Sequence, residues 1–162
     1  MGTLADALAA APDDLQAFTF LPNDSPRAFW TRRQLHETTV HRVDAEQAAS
    51  AVTAIPPEQA ADGIEEMLFG FAARPHKLDA DERRVLVLRA TDTGDGWTVR
   101  LGPDGGGASR GAVDQADCAI TAPASDVFLW LWNRVPPEAL AGVEGDVAIA
   151  QDWAGRVRVR WS

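Results

Sequence analysis

From Pro26 to about Ser50 nothing in the sequence breaks a helix, and an uninterrupted stretch of that length constrains any fold the chain adopts. Ser25 is a favourable N-cap, because its hydroxyl can accept from one of the N–H groups that a helix start leaves without a partner. Pro26 suits the first helical position, where its missing N–H has no consequence. Ile55-Pro56-Pro57 closes the region. At about 100° per residue, Phe29, Val40 and Val43 form one apolar stripe. Beside it run Trp30, Arg33, Glu37, His41 and Asp44, with Glu37 and His41 one turn apart.

The rest of the chain reads around that helix. Residues 2–11, rich in Ala and Leu, predict a short helix stopped at Pro12, and 12–25 a loop. A third helix is expected from Pro57 to Phe71, where Ala61, Ile64, Leu68 and Phe71 recur at helical spacing. After a charged link over 76–84 the pattern becomes β-rich. Val85–Ala90 and Trp97–Leu101 read as a hairpin around Thr93-Gly94-Asp95-Gly96, with a short strand near Ser109–Val113 and another over Cys118–Thr121. Pro123 opens a helix over about 124–134, apolar nearly all round and therefore deeply buried, which Pro136-Pro137 ends. A last helix near Asp146–Ala154 is expected to stop at Gly155 as its C′ glycine. Arg156–Trp161 alternates basic and apolar residues and predicts an edge strand. The fold class is α+β, with helices packed on one face of a small sheet.

Composition narrows the function. A net charge of −9 excludes phosphate-backbone binding as the main activity, so no nucleic-acid partner is expected. The longest apolar run, Val127–Trp132, falls far short of the roughly 18 residues that a bilayer span needs, so no membrane partner is expected either. Met1–Asp6 lacks the basic n-region of a signal peptide, and a cytoplasmic protein is expected. The single cysteine, Cys118, rules out an internal disulfide framework; on a strand it reads as a small core hydrophobe. The cations are 14 Arg against one Lys, Lys77. With abundant Ala, Asp and Gly, that bias suggests a GC-rich bacterial genome.

A Glu and a His at i and i+4 can bind one divalent ion if a third ligand arrives from another helix. Asp44 can orient the imidazole of His41 through its other ring nitrogen. The same spacing equally suits an exposed charge pair worth roughly 0.2–0.5 kcal/mol. His36 lies nearer the apolar face and reads as a packing or hydrogen-bonding residue, His76 as a solvated one. Arg33 on the polar stripe and Arg134 at the end of the buried helix are the candidate anchors for an anionic substrate. For each the alternative is surface solvation or compensation of helix C-terminal charge.

The run Phe29-Trp30-x-Arg32-Arg33-x-x-His36-Glu37-x-x-x-His41-Arg42-x-Asp44-Ala45-Glu46 resembles the mycothiol-dependent maleylpyruvate isomerase family, a branch of the DinB-like metalloproteins. The resemblance continues through Ala61–Glu66, Ala116-Asp117, Pro123–Asp126, Leu129–Trp132 and Val143–Asp146. It implies a four-helix bundle that holds a divalent metal, typically zinc, followed by a smaller α+β domain. Glu37 and His41 match two of that family's three protein ligands; the third, a histidine on an earlier helix, is not in this chain. Residues 1–55 then correspond to two helices of an incomplete DinB-like bundle, and 56–162 to the α+β C-terminal domain, whose order of elements resembles sterol-carrier domains.

Three arrangements would account for the missing helices: a truncated chain, a separate polypeptide that supplies them, or a homodimer that rebuilds a bundle. The family's chemistry implies mycothiol as a thiol cofactor activated by the metal, an anionic substrate, and isomerisation or thiol transfer, with Arg33 and Arg134 as catalytic candidates. The competing reading is a binding or scaffold module without a reaction, in which the Trp130/Trp132 helix lines an apolar pocket or is plain core.

Overall fold

A computed structural model describes residues 3–23, 25–50 and 53–159. The chain divides into two compact units, Met1–Thr53 and Ala54–Ser162.

The first unit holds two helices, α1 (Leu4–Ala10) and α2 (Pro26–Ala48). Thr3 and Asp6 form a capping box: Thr3 N donates to the Asp6 carboxylate at 2.8 Å and Asp6 N to the Thr3 hydroxyl at 3.2 Å. Hydrogen bonding from Thr3 to the Asp6 carboxyl, from its backbone first and then from its side chain, lowers the pKa of that carboxyl. At α2 the Ser25 hydroxyl accepts from Ala28 N at 3.4 Å and Pro26 stands in the first turn, as the sequence predicts. The loop between the helices is tied to α2 by aromatic edges. Phe20 packs edge-on against Phe29 and Trp30, and Trp30 Nε1 donates to the Phe18 carbonyl at 2.9 Å. In the last turn of α2, the Glu46 carboxylate accepts from both the backbone and the hydroxyl of Thr53, each at 2.8 Å, which pulls its pKa down.

The second unit is a mixed five-stranded sheet with helices on one face. Its strands are β1 (Arg84–Ala90), β2 (Gly96–Leu101), β3 (Gly107–Arg110), β4 (Cys118–Ala122) and β5 (Val143–Gly145), in the order β3-β2-β1-β4-β5. β1 and β4 are parallel and every other pairing is antiparallel. The register sets Leu88 beside both Trp97 and Ile120, and Leu86 beside both Val99 and Cys118. Side chains alternate across a strand, so Leu86, Leu88, Ala90, Trp97, Val99, Cys118, Ile120 and Ala122 share one face, and all are buried. α4 (Ala124–Leu131) and α5 (Val147–Arg156) pack against β1 and β4, and α3 (Pro57–Glu66) packs on α4. The opposite face carries Arg89, Arg100 and Thr121. The link from β3 to β4 is held there by bonds from Thr98 Oγ1 to the Gly111 carbonyl (2.7 Å) and from Arg89 to the Val113 carbonyl (3.0 Å).

Close approach explains one glycine in α3. A Cβ at Gly63 would lie 2.3 Å from the ring of Phe128, which is itself buried, so nothing larger than glycine fits there without a shift in the core. The apolar helix α4 is buried as expected, with Trp130 against Trp153 at 5.4 Å and Phe71 against Trp132 at 5.5 Å. Cys118 is a buried core residue whose thiol pKa is raised by desolvation.

Several boundaries differ from those the sequence predicts. The third helix becomes a π-helical turn over Met67–Phe71. α4 ends at Leu131 instead of near 134, because Asn133 takes a left-handed conformation (φ 60°). The third strand lies at Gly107–Arg110, ended by Gly111 at φ 91°. α5 runs through Gly155 to Arg156, whose guanidinium bonds to the Asp79 carbonyl and to Asp152, so Gly155 is no C′ cap. The edge strand expected at Arg156–Trp161 does not form over Val157–Val159. Val157 N caps α5 through the Trp153 carbonyl at 2.8 Å and its own carbonyl accepts from Asn133 at 3.2 Å, so both groups are committed outside a ladder. Arg160–Ser162 lie outside the described residues. The sheet edge is taken instead by β5, which the sequence reading did not contain.

Candidate functional site

The polar stripe of α2 is a connected row. Arg33 Nε lies 3.6 Å from Glu37 Oε2, Glu37 Oε1 lies 3.8 Å from His41 Nε2, and His41 Nδ1 lies 3.3 Å from Asp44 Oδ2. Each step is one helical turn, so α2 geometry alone sets the row. Burial falls along it from Arg33 to His41. The Arg33 side chain is 0 % exposed, that of Glu37 27 % and that of His41 60 %, so the Glu–His pair sits where an incoming group can reach it. His36, on the neighbouring line, is fully buried, in keeping with a packing role. Phe29, Val40 and Val43 are buried as the stripe predicts.

An ionised carboxylate only accepts hydrogen bonds, so a proton on Nδ1 of His41 would be the one that Asp44, at 3.3 Å, accepts. In that tautomer the Nε2 lone pair would be on the side of Glu37, whose Oε1 lies 3.8 Å away. Two donors of one tetrahedral zinc, each about 2.0–2.2 Å from the ion, stand about 3.4 Å apart. The observed 3.8 Å closes to that spacing with a small rotamer adjustment, so the pair fits a divalent ion. Arg33 beside the other carboxylate oxygen would hold Glu37 in place. Among the described residues no group of three His, Cys, Asp or Glu side chains is placed to hold a metal ion, so the pair has no third donor of those types beside it.

Arg134 belongs to the second unit. Its guanidinium donates to the Trp132 carbonyl at 2.7 Å, at the C-terminal end of α4. His76 is exposed, with its Nδ1 2.7 Å from Asp79. Sequence reasoning missed Glu66, a buried carboxylate where α3 passes into the π turn. It also missed the Glu65–Arg110 ion pair, which raises the pKa of Arg110 through its hydrogen bonds to Glu65. No helix among the described residues is long and apolar enough to cross a membrane.

Fold and stripe together define a two-unit α+β protein whose helical unit presents an i,i+4 Glu–His pair. Residues 2–46 match the mycothiol maleylpyruvate isomerase N-terminal domain and residues 58–152 the MDMPI C-terminal domain, and the chain belongs to the mycothiol maleylpyruvate isomerase family. No curated protein matches the chain. Among solved structures, the stereoselective inverting sec-alkylsulfatase Pisa1 from Pseudomonas sp. is similar over 67% of this chain at 12% identity and a TM-score of 0.48. This chain spans 17% of that alkylsulfatase. The UbiJ-SCP2 ubiquinone synthesis protein is similar over 64% of this chain and 92% of its own, at 15% identity and a TM-score of 0.39.

Proposed function

We propose that this chain is a divalent-metal-binding, thiol-dependent isomerase or transferase of its family, active when a further ligand completes the site. The observation that carries the reading is the pairing of Glu37 with an Asp44-oriented His41 on one exposed face of α2. Zinc suits this nitrogen and oxygen donor set, and mycothiol is the thiol that the family name supplies. When bound, the ion contributes Lewis acidity that lowers the pKa of a thiol. Glu37 and His41 would hold it, Asp44 would fix the imidazole, and Arg33, whose side chain is 0 % exposed, would steady the carboxylate from the buried side and not meet a substrate.

The third ligand would be supplied by a further segment of a longer chain, by a separate polypeptide or by a second copy of this chain. The helical unit supports that view. α1 has no buried residue, Leu4 and Leu35 are exposed, and the groove between α1 and α2 is apolar apart from Arg27 and a few hydroxyl and amide groups. A helix of seven residues is too short to be stable on its own, so an apolar partner surface would stabilise it.

Zinc content of protein purified without chelator tests the proposal. Stoichiometric metal that falls to background in His41→Ala is expected. Metal-free protein that stays folded, with unchanged stability in Glu37→Ala, would favour the second reading: a non-catalytic small-molecule-binding or scaffold module. That second reading draws its support from the absence of a third ligand among the described residues.

A further inference from the structure

Two things are left open on the outer side of α2. Glu37 and His41 offer an ion two donors, and among the described residues no third His, Cys, Asp or Glu is placed to complete a site. Large apolar groups of the same unit also face outward. Phe18 is 78 % exposed, and its carbonyl accepts from Trp30 Nε1 at 2.9 Å, which holds it beside the N-terminal end of the polar stripe. The groove between α1 and α2, with Leu4 and Leu35 exposed, flanks that stripe. Its lining residues Gln34 and Thr38 stand three positions before Glu37 and His41 respectively, as neighbours on the helix surface.

We infer that a second copy of this chain covers this side of α2 and completes the site. The two α2 helices pair antiparallel about a two-fold axis midway between Glu37 and His41, with one divalent ion at the centre. That symmetry sets Glu37 opposite His41 of the second copy, and His41 opposite its Glu37. Carboxylate meets imidazole across the axis, and the two carboxylates balance the charge of the ion. Two copies together offer four donors, where a catalytic zinc uses three and keeps one position open, so the shared site is complete and still admits a thiol. Trp30 and Ala48 lie equally far from the axis in opposite directions, and Ala48 continues the stripe one turn beyond Asp44. Phe18 and Trp30 of each copy therefore come against the small, exposed Ala48 of the other. Each chain carries a net charge of −9, so two copies repel unless the ion joins them, and association depends on the metal. This dimer rests on the metal reading of the Glu37–His41 pair and adds the source of the missing ligand.

Light scattering on the size-fractionated full chain, in chelator and in zinc, tests it. The mass is expected to be that of one chain in chelator and to double with zinc, saturating at one ion for two chains. His41→Ala is expected to stay monomeric in zinc. Phe18→Ala, at an exposed position away from the ligands, is expected to weaken the zinc-induced dimer about tenfold, as loss of an aromatic anchor does. A zinc-loaded monomer overturns the dimer, whether a longer chain or a separate polypeptide then supplies the further ligand, and leaves the metal reading standing. A chain that binds no zinc overturns both. A dimer that persists in chelator or in His41→Ala, or that Phe18→Ala leaves as tight as before, overturns the metal-bridged pairing.

Discussion

Replacing Trp153 with alanine is expected to destabilise the second unit by about 3–5 kcal/mol, the range for truncating a buried aromatic residue. Trp153 is 1 % exposed, stacks on Trp130 at 5.4 Å and donates its indole N–H to the Leu131 carbonyl at 2.9 Å. The alanine variant therefore loses the packed ring and leaves a buried carbonyl at the end of α4 without its donor. Trp153→Phe keeps most of the ring and loses the donor, so its effect should be smaller, about 1–3 kcal/mol. Urea unfolding followed by circular dichroism measures both. A loss below about 1 kcal/mol for Trp153→Ala would show that this indole is not what joins α5 to α4.

The second large effect concerns the helical unit. A metal that binds only the folded state stabilises it by mass action, about 2.7 kcal/mol at a free concentration 100 times its dissociation constant. Zinc added to chelator-treated protein should therefore raise the unfolding midpoint of the wild type and leave that of His41→Ala unmoved. Asp44→Ala should lie between them, because it frees the imidazole without removing the ligand. If a second copy supplies the missing ligand, the zinc-induced shift grows with protein concentration; a shift independent of concentration argues against a second copy as its source.

The parts of the fold legible in the sequence were those set by local chemistry. Ser25 and Pro26 announce the start of α2, and its apolar stripe follows from helical spacing and is buried as predicted. The hairpin of β1 and β2 follows from alternation around Gly94, whose φ of 78° the turn requires. What remained hidden was set by contacts between distant residues. Asp92 accepts from Ala124 N at 2.9 Å and so caps α4 from the far end of β1, a role no local pattern shows. Val85 N donates to Asp117 at 2.7 Å beside the parallel pairing of β1 and β4.

Gly155 misled because glycine inside a helix, unfavourable by about 1 kcal/mol relative to alanine, is tolerated when tertiary bonds such as those of Arg156 extend the helix past it. β5 escaped notice because three residues carry no periodic signal. A Cβ at Gly145 would lie 2.3 Å from the Asp117 carbonyl, so that glycine marks where the strand closes on its neighbour. At the candidate site, the row from Arg33 to Asp44 was legible because a single helix builds it. The split of Arg134 into the other unit follows from the fold, which no local pattern shows.

The chain has three histidines, His36, His41 and His76, so its imidazole nitrogens can be followed individually by nitrogen-15 NMR during a zinc titration. The account predicts that Nε2 of His41 moves to a metal-bound shift while its Nδ1 keeps the proton held by Asp44. Zinc that leaves the His41 ring unperturbed, or that binds at His76 instead, would contradict it.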